Sequence, residues 1–133
     1  MAGFLLDTNH LSEALRPVSR VRDRIGQLRF TGIRVGTCVP VLCELEAALP
    51  SSNRGQVYRR ALQRLLGRVR LWPLELETAR FYGEIFRELR NRGRVLSQVD
   101  MMLAALARHK DLTLATSDRD FEALPDVRTE NWL

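Results

Sequence analysis

Apolar and polar residues follow one another in short blocks whose period switches between two and about 3.6, the periods of strands and helices. Phe4-Leu5-Leu6 is an apolar run that meets polar Asp7-Thr8-Asn9, the pattern of a buried strand running out into a loop. A helix is expected from about residue 11, stopped by Pro17, with another over 18–29. β-Branched residues mark 33–39 as a second strand. Pro40 suits the first turn of a helix that runs to 49, where Pro50-Ser51-Ser52-Asn53 breaks it. Over 56–66, Val57, Ala61, Leu62 and Leu65 recur at helical spacing with arginines between them. A strand over 69–74, helices over 76–90 and 98–109, a strand over 112–115 and a last short strand at 127–129 complete the pattern. Strands alternating with helices predict an α/β fold whose central parallel sheet is covered on both faces. With no repeat, low-complexity tract or linker, residues 1–133 read as a single domain. In such folds ligands gather outside the carboxyl ends of the strands.

Four acids are expected at that end. Asp7 follows the first strand, where an aspartate commonly caps the next helix. On the helix ending at 49, the apolar stripe is Val41, Leu45 and Ala48, and Glu44 lies three after the first and four before the last. A carboxylate on a core-facing stripe is costly unless it is paired or used. Glu44 therefore reads as a functional acid or as the buried partner of an arginine, while Glu46 faces elsewhere and reads as solvated. Asp100 precedes Leu103, Ala104 and Ala107 at helical spacing and falls on the buried face, although Ser97-Gln98-Val99-Asp100 also fits a capping box. Asp118 follows the strand over 112–115, and Asp120 stands two residues on. One of them caps the helix near Phe121, which leaves the other spare.

Carboxylates brought together repel, and some protonate unless a cation joins them. An oxygen-only set without His or Cys favours Mg²⁺ or Mn²⁺ over zinc. The chain has only two histidines and two cysteines, and Cys38 and Cys43 do not form Cys-x-x-Cys; they read as buried, reduced thiols of a cytosolic protein. The charge changes the picture further. Of 21 basic residues against 16 acidic ones, Lys110 is the sole lysine, and arginine suits planar, bidentate contact with phosphate. With four acids drawn to one site, the rest of the chain sets 21 basic residues against 12 acidic ones, a balance of +9 instead of +5. The arginines at 54, 59, 60, 64, 68 and 70 either grip a polynucleotide backbone or form a solvated face, and the apolar residues between them suit a groove for a partner helix. Tyr58, Trp72, Phe81, Tyr82 and Phe86 read as core or dimer interface. No apolar run approaches the roughly 18 residues of a membrane span, and the first residues do not read as a signal peptide. A cytoplasmic location without a membrane partner is expected.

The order and spacing of five segments carry a resemblance. They are Leu5-Leu6-Asp7-Thr8-Asn9, Val41-Leu42-Cys43-Glu44-Leu45, Val99-Asp100-Met101-Met102-Leu103-Ala104-Ala105, Leu114-Ala115-Thr116-Ser117-Asp118-Arg119-Asp120-Phe121 and Thr129-Glu130-Asn131-Trp132. Over nearly its whole length the chain resembles the PIN-domain ribonucleases of the VapC toxin family. That resemblance implies a three-layer α/β/α fold, a Mg²⁺- or Mn²⁺-dependent endoribonuclease acting as the toxin of a type II toxin–antitoxin pair, a cognate VapB-type antitoxin encoded alongside, and a homodimer. Carried over by residue, Asp7, Glu44, Asp100 and Asp118 are the catalytic, metal-binding acids. Asn9 and Thr116 orient them, and Asp120 supports Asp118. His10 and Ala48 depart from the residues common at their positions, and neither is expected to touch the chemistry.

The implied reaction is hydrolysis of RNA with water as the in-line nucleophile, leaving 5′-phosphate and 3′-hydroxyl ends. Two metals about 3.5–4 Å apart stabilise both oxygens of such a displacement. Other readings fit less well. A non-catalytic RNA-binding PIN module would retain RNA without divalent metal. A haloacid-dehalogenase-like phosphatase needs an acid two residues after its first aspartate, where this chain has Asn9. A receiver-type signalling domain needs an acidic pair near its first strand and an aspartate at a central strand end, and neither fits.

Overall fold

A computed structural model describes residues 3–133. Its centre is β1 (Gly3–Leu6), paired in parallel with β2 (Arg34–Cys38) on one side and β4 (Thr113–Ala115) on the other. The short strands β3 (Arg70–Trp72) and β5 (Thr129–Glu130) take the edges, giving a five-stranded parallel sheet of order β3-β2-β1-β4-β5. Six helices join them: α1 (Thr8–Ala14), α2 (Arg20–Phe30), α3 (Val39–Ala48), α4 (Asn53–Leu66), α5 (Leu76–Asn91) and α6 (Gln98–Lys110). The chain walks outward from β1 to β3, then crosses back to β4. Because parallel crossovers are right-handed, the outward helices and the returning pair α5 and α6 cover opposite faces. Accordingly α1 packs against α2, and α5 against α6. This is the expected three-layer α/β/α arrangement.

The core explains why α6 carries so little charge in its middle. Leu103 to Ala107 are all buried, because the helix is enclosed by α5 and the sheet. Its small alanines let it approach closely. Leu5, Leu6 and Leu114 on the central strands are fully buried, as both faces of a parallel strand must be.

Several boundaries differ from the expected ones, for local reasons. Helix α1 begins at Thr8 rather than near 11, since the Asp7 carboxylate caps it at once. Helix α4 begins at Asn53, inside the expected break, with Ser52 as its extended N-cap residue. Strand β3 stops at Trp72, before Pro73, which has no N–H to offer the ladder. The last strand lies at Thr129–Glu130 instead of 127–129. The stripe of α3 is also rotated from the expected one. Val41 and Leu45 are buried with Leu42 and Leu49 half-buried beside them, so Glu44 and Ala48 are exposed rather than core-facing. Of the two thiols, Cys38 is buried and its pKa is pushed up to about 11 by burial, whereas Cys43 is exposed, against expectation. Among the described residues no helix is long and apolar enough to cross a membrane.

At Gly36 on β2 a side chain has no room. A methyl there would collide with the Arg70 carbonyl oxygen and come within 2.7 Å of the Trp72 ring. Gly36→Ala is expected to force β2 and β3 apart and to cost about 1–3 kcal/mol of stability. The check is a lower urea midpoint at an unchanged m-value.

Candidate active site

The strand order reverses between β1 and β4, so the crevice at their carboxyl ends is the place such a sheet offers a ligand. Asp7 leaves β1 there, and its main-chain N–H donates to the Ala115 carbonyl at the end of β4, 3.1 Å away. The residue is 7% exposed, and its carboxylate takes two bonds on the same oxygen. The His10 main-chain N–H reaches Oδ1 at 2.8 Å, the helix cap, and the His10 ring Nδ1 lies 3.0 Å from that atom. Capping and site chemistry are thus not alternatives at Asp7. Oδ2 takes no bond from the described residues.

His10 corrects an expectation, because it touches the site directly. It is fully buried, and its Nε2 accepts the Trp132 main-chain N–H at 3.0 Å. The signal was present in the sequence: residue N3 of a helix is the one whose side chain reaches back to the cap, the place usually held by Glu or Gln. Thr8 was missed as well. Its hydroxyl donates to Glu44 Oε1 at 2.6 Å, joining α1 to α3. The neighbouring Asn9, expected to orient the acids, is exposed and stands apart from the hydrogen bonds that hold Asp7 and Glu44.

Asp100 is half-buried at the third position of α6, where the Ser97 hydroxyl accepts its main-chain N–H at 3.1 Å. Asp118 follows β4 and is exposed. Thr116 is buried, and its hydroxyl accepts the Asp118 N–H at 3.0 Å; Asp118 Oδ1 in turn accepts the Asp120 N–H at 2.8 Å, capping the 3₁₀ turn Arg119–Ala123. Asp118 is therefore the cap and Asp120 the exposed spare acid. The electrostatics nonetheless involve the cap. Burial raises the Asp100 carboxyl above the ordinary range, the Ser97 hydroxyl opposes this, and the charges of Asp118, Glu44 and Asp7 raise it further. Three acids from separate elements thus act on Asp100, and Asp120 is not among them.

The donor chemistry fits a hard dication: every candidate ligand is a carboxylate oxygen, and an added positive charge would relieve the repulsion on Asp100. Among the described residues no group of three or more His, Cys, Asp or Glu side chains stands as a ready metal cage. Asp7 and Glu44 each have one oxygen engaged by a neighbour, which leaves the other for a ligand.

The PIN-domain family profile matches residues 4–127. The chain belongs to the PIN-domain family. Among curated proteins this PIN domain is similar to ribonuclease VapC2 of Haemophilus influenzae, at 27% identity over 139 residues covering 100% of both chains. It is also similar to the tRNA(fMet)-specific endonuclease VapC of Shigella flexneri, at 27% identity over 99% of each. A crystal structure of VapBC2 from Rickettsia felis, bound to a DNA fragment from its promoter, contains the same fold. That chain matches with a TM-score of 0.88 over 100% of both chains at 23% identity.

The raised Asp100 carboxyl has a consequence for stability. A native value above the unfolded one means that the native PIN domain binds more protons in that window, so stability falls as pH rises through it. Without metal, Asp100→Asn is expected to melt higher than wild type at pH 7, with the difference vanishing below about pH 4, the ordinary aspartate range. Thermal melts in chelator across that range read the effect.

Proposed function

We propose that this chain is a Mg²⁺- or Mn²⁺-dependent endoribonuclease, the toxin of a toxin–antitoxin pair. The observation that supports the reading is the placement of Asp7 after β1 and Asp118 after β4 on either side of the switch point of the sheet, with Glu44 tied to α1 through Thr8 and the charges of all three raising the half-buried Asp100. The names of similar curated proteins, a VapC ribonuclease and a VapC endonuclease, support it. Mg²⁺ keeps several waters and binds through one or two carboxylates plus substrate phosphate, so it does not require a closed cage of protein ligands.

In this reading Asp7 and Asp100, the least exposed acids, form the floor of the site. Asp7 offers Oδ2 while His10 holds Oδ1. Glu44 and Asp118 stand at the exposed rim, where a phosphodiester and the attacking water can reach them. Thr8 fixes Glu44, and Thr116 fixes the turn that carries Asp118. A bound divalent ion supplies Lewis acidity and charge neutralisation at the phosphate. The carboxylates would hold it, and one of them would orient a water in line and accept its proton; as the new P–O bond forms the P–O3′ bond breaks and the departing oxygen takes a proton from solvent, leaving 5′-phosphate and 3′-hydroxyl ends.

A surface groove supports the partner reading. A groove of about 670 Å³ lies between α4 and the α1–α2 turn, with Leu15, Val57 and Ala61 inside it and Arg54, Arg64 and Arg68 around it. An apolar trough bordered by arginines suits an amphipathic helix with acidic flanks, the form an antitoxin segment would take. Arg59, from the same arginine run, instead pairs with Glu46 at 3.1 Å.

Brief expression of wild type is expected to create discrete new RNA 5′ ends that mapping detects, and Asp7→Asn is expected to remove them. In vitro, that variant should lose more than about 100-fold of the rate, beyond the loss typical of an outer-sphere change, and EDTA should abolish cutting. RNA retained without metal and never cut would instead identify a binding module. Val57→Glu is expected to leave cleavage unchanged while weakening, by tenfold or more, inhibition by the small protein encoded alongside; titrating that protein into the cleavage assay measures it.

A further inference from the structure

We propose that His10 is a positioning residue for the site, locked in one tautomer by the main chain of Trp132 so that it clamps one oxygen of Asp7 and presents the other. Three observations carry this. The ring is fully buried, so its two nitrogens must both find partners within the protein. Nε2 lies 3.0 Å from the Trp132 main-chain nitrogen, and a main-chain N–H can only donate, so Nε2 accepts. The ring proton therefore sits on Nδ1, which lies 3.0 Å from Asp7 Oδ1 and donates to it.

The clamp is aimed as well as present. The cap bond from the His10 main-chain N–H falls on the same Oδ1, so one residue holds that oxygen from two directions. Rotation of the carboxylate would break both bonds, and Oδ2 is left as the free ligand atom. Trp132 is held in its turn. Its ring lies 5.1 Å from that of Phe4 on β1, its Nε1 donates to Glu130 at 2.9 Å, and the Arg24 guanidinium lies over the ring at 5.8 Å. The segment after β5 is thereby wired to the acid after β1. A carboxylate held by an outer hydrogen bond binds a cation with less rearrangement, and removal of such partners typically costs 10–100-fold in affinity or activity.

The rate readouts rest on the nuclease reading; the tautomer and metal-affinity readouts do not. Three variants separate the roles. His10→Leu fills the space and removes the donor. His10→Asn keeps an N–H near the Nδ1 position, whereas His10→Gln keeps one near Nε2. The expected result is a roughly 10–100-fold loss for His10→Leu in Mn²⁺ affinity, measured by calorimetry on the RNA-free protein, and in kcat, with KM for RNA unchanged. His10→Asn should recover most of both, and His10→Gln should not. Nitrogen-15 spectra of the metal-free wild type should show the Nδ1-protonated ring. Wild-type Mn²⁺ affinity in a folded His10→Leu, equal rescue by Gln and Asn, or an Nε2-protonated ring would each overturn the proposal. If His10→Leu fails to fold, the Asn–Gln comparison and the tautomer decide it. If wild type binds Mn²⁺ but cuts no RNA, the nuclease reading fails while affinity and tautomer still judge His10.

Discussion

The hydrogen bond from the Asp7 main chain to the Ala115 carbonyl closes the ends of β1 and β4 at the line where the strand order reverses. Much of the architecture depends on that join. Right-handed crossovers to either side of it set the outgoing helices on one face and α5 and α6 on the other. It brings the residue after β1 beside the turn after β4, although they lie far apart in sequence. Helices α3 and α6 then need only begin near the same crevice to add Glu44 and Asp100. A parallel sheet delivers this without specialised loops, because all its strands end on one side.

The fold was legible in the sequence because its central strands are largely apolar and helices are broken at Pro17 and Pro50, whereas the break at Pro73 was read through. Boundaries moved for local reasons, as when the Asp7 cap started α1 early and Pro73 stopped β3 short. The candidate acids were legible for a mixture of sound and unsound reasons. Asp7 and Asp118 were found from strand ends, and each caps the helical turn after it, α1 for Asp7 and the 3₁₀ turn for Asp118. Glu44 was singled out as a charge on a buried stripe, yet α3 is rotated so that it is exposed. The spacing argument had assumed that Ala48 faces inward. The partners of the acids were hardest to read. Thr8 and His10 act through side-chain directions fixed only when α1 meets α3 and the segment around Trp132.

The site also sets stability against chemistry. Burial first, and then the like charges of Asp118, Glu44 and Asp7, hold Asp100 above its ordinary range, a cost the apo fold carries continuously. The scaffold around it compensates by rigidity: Leu103 to Ala107 pin α6 in the core, and buried Thr37 donates to the Leu6 carbonyl at 3.3 Å, just before Asp7. A preorganised set of repelling acids is a charged spring that a cation relaxes.

The bond between His10 and Trp132 spans 122 residues. Contacts of that separation form late, since the loop between them must close first. A chain emerging from the ribosome presents Asp7 and Glu44 long before it holds Asp118 or the Trp132 N–H. The local bonds from His10 to Asp7 need only α1, but the His10 ring gains its Nε2 partner only when that distant segment closes on it. The topology thereby couples the last adjustment of the crevice to closure of a loop of 122 residues, a timing written into chain connectivity alone.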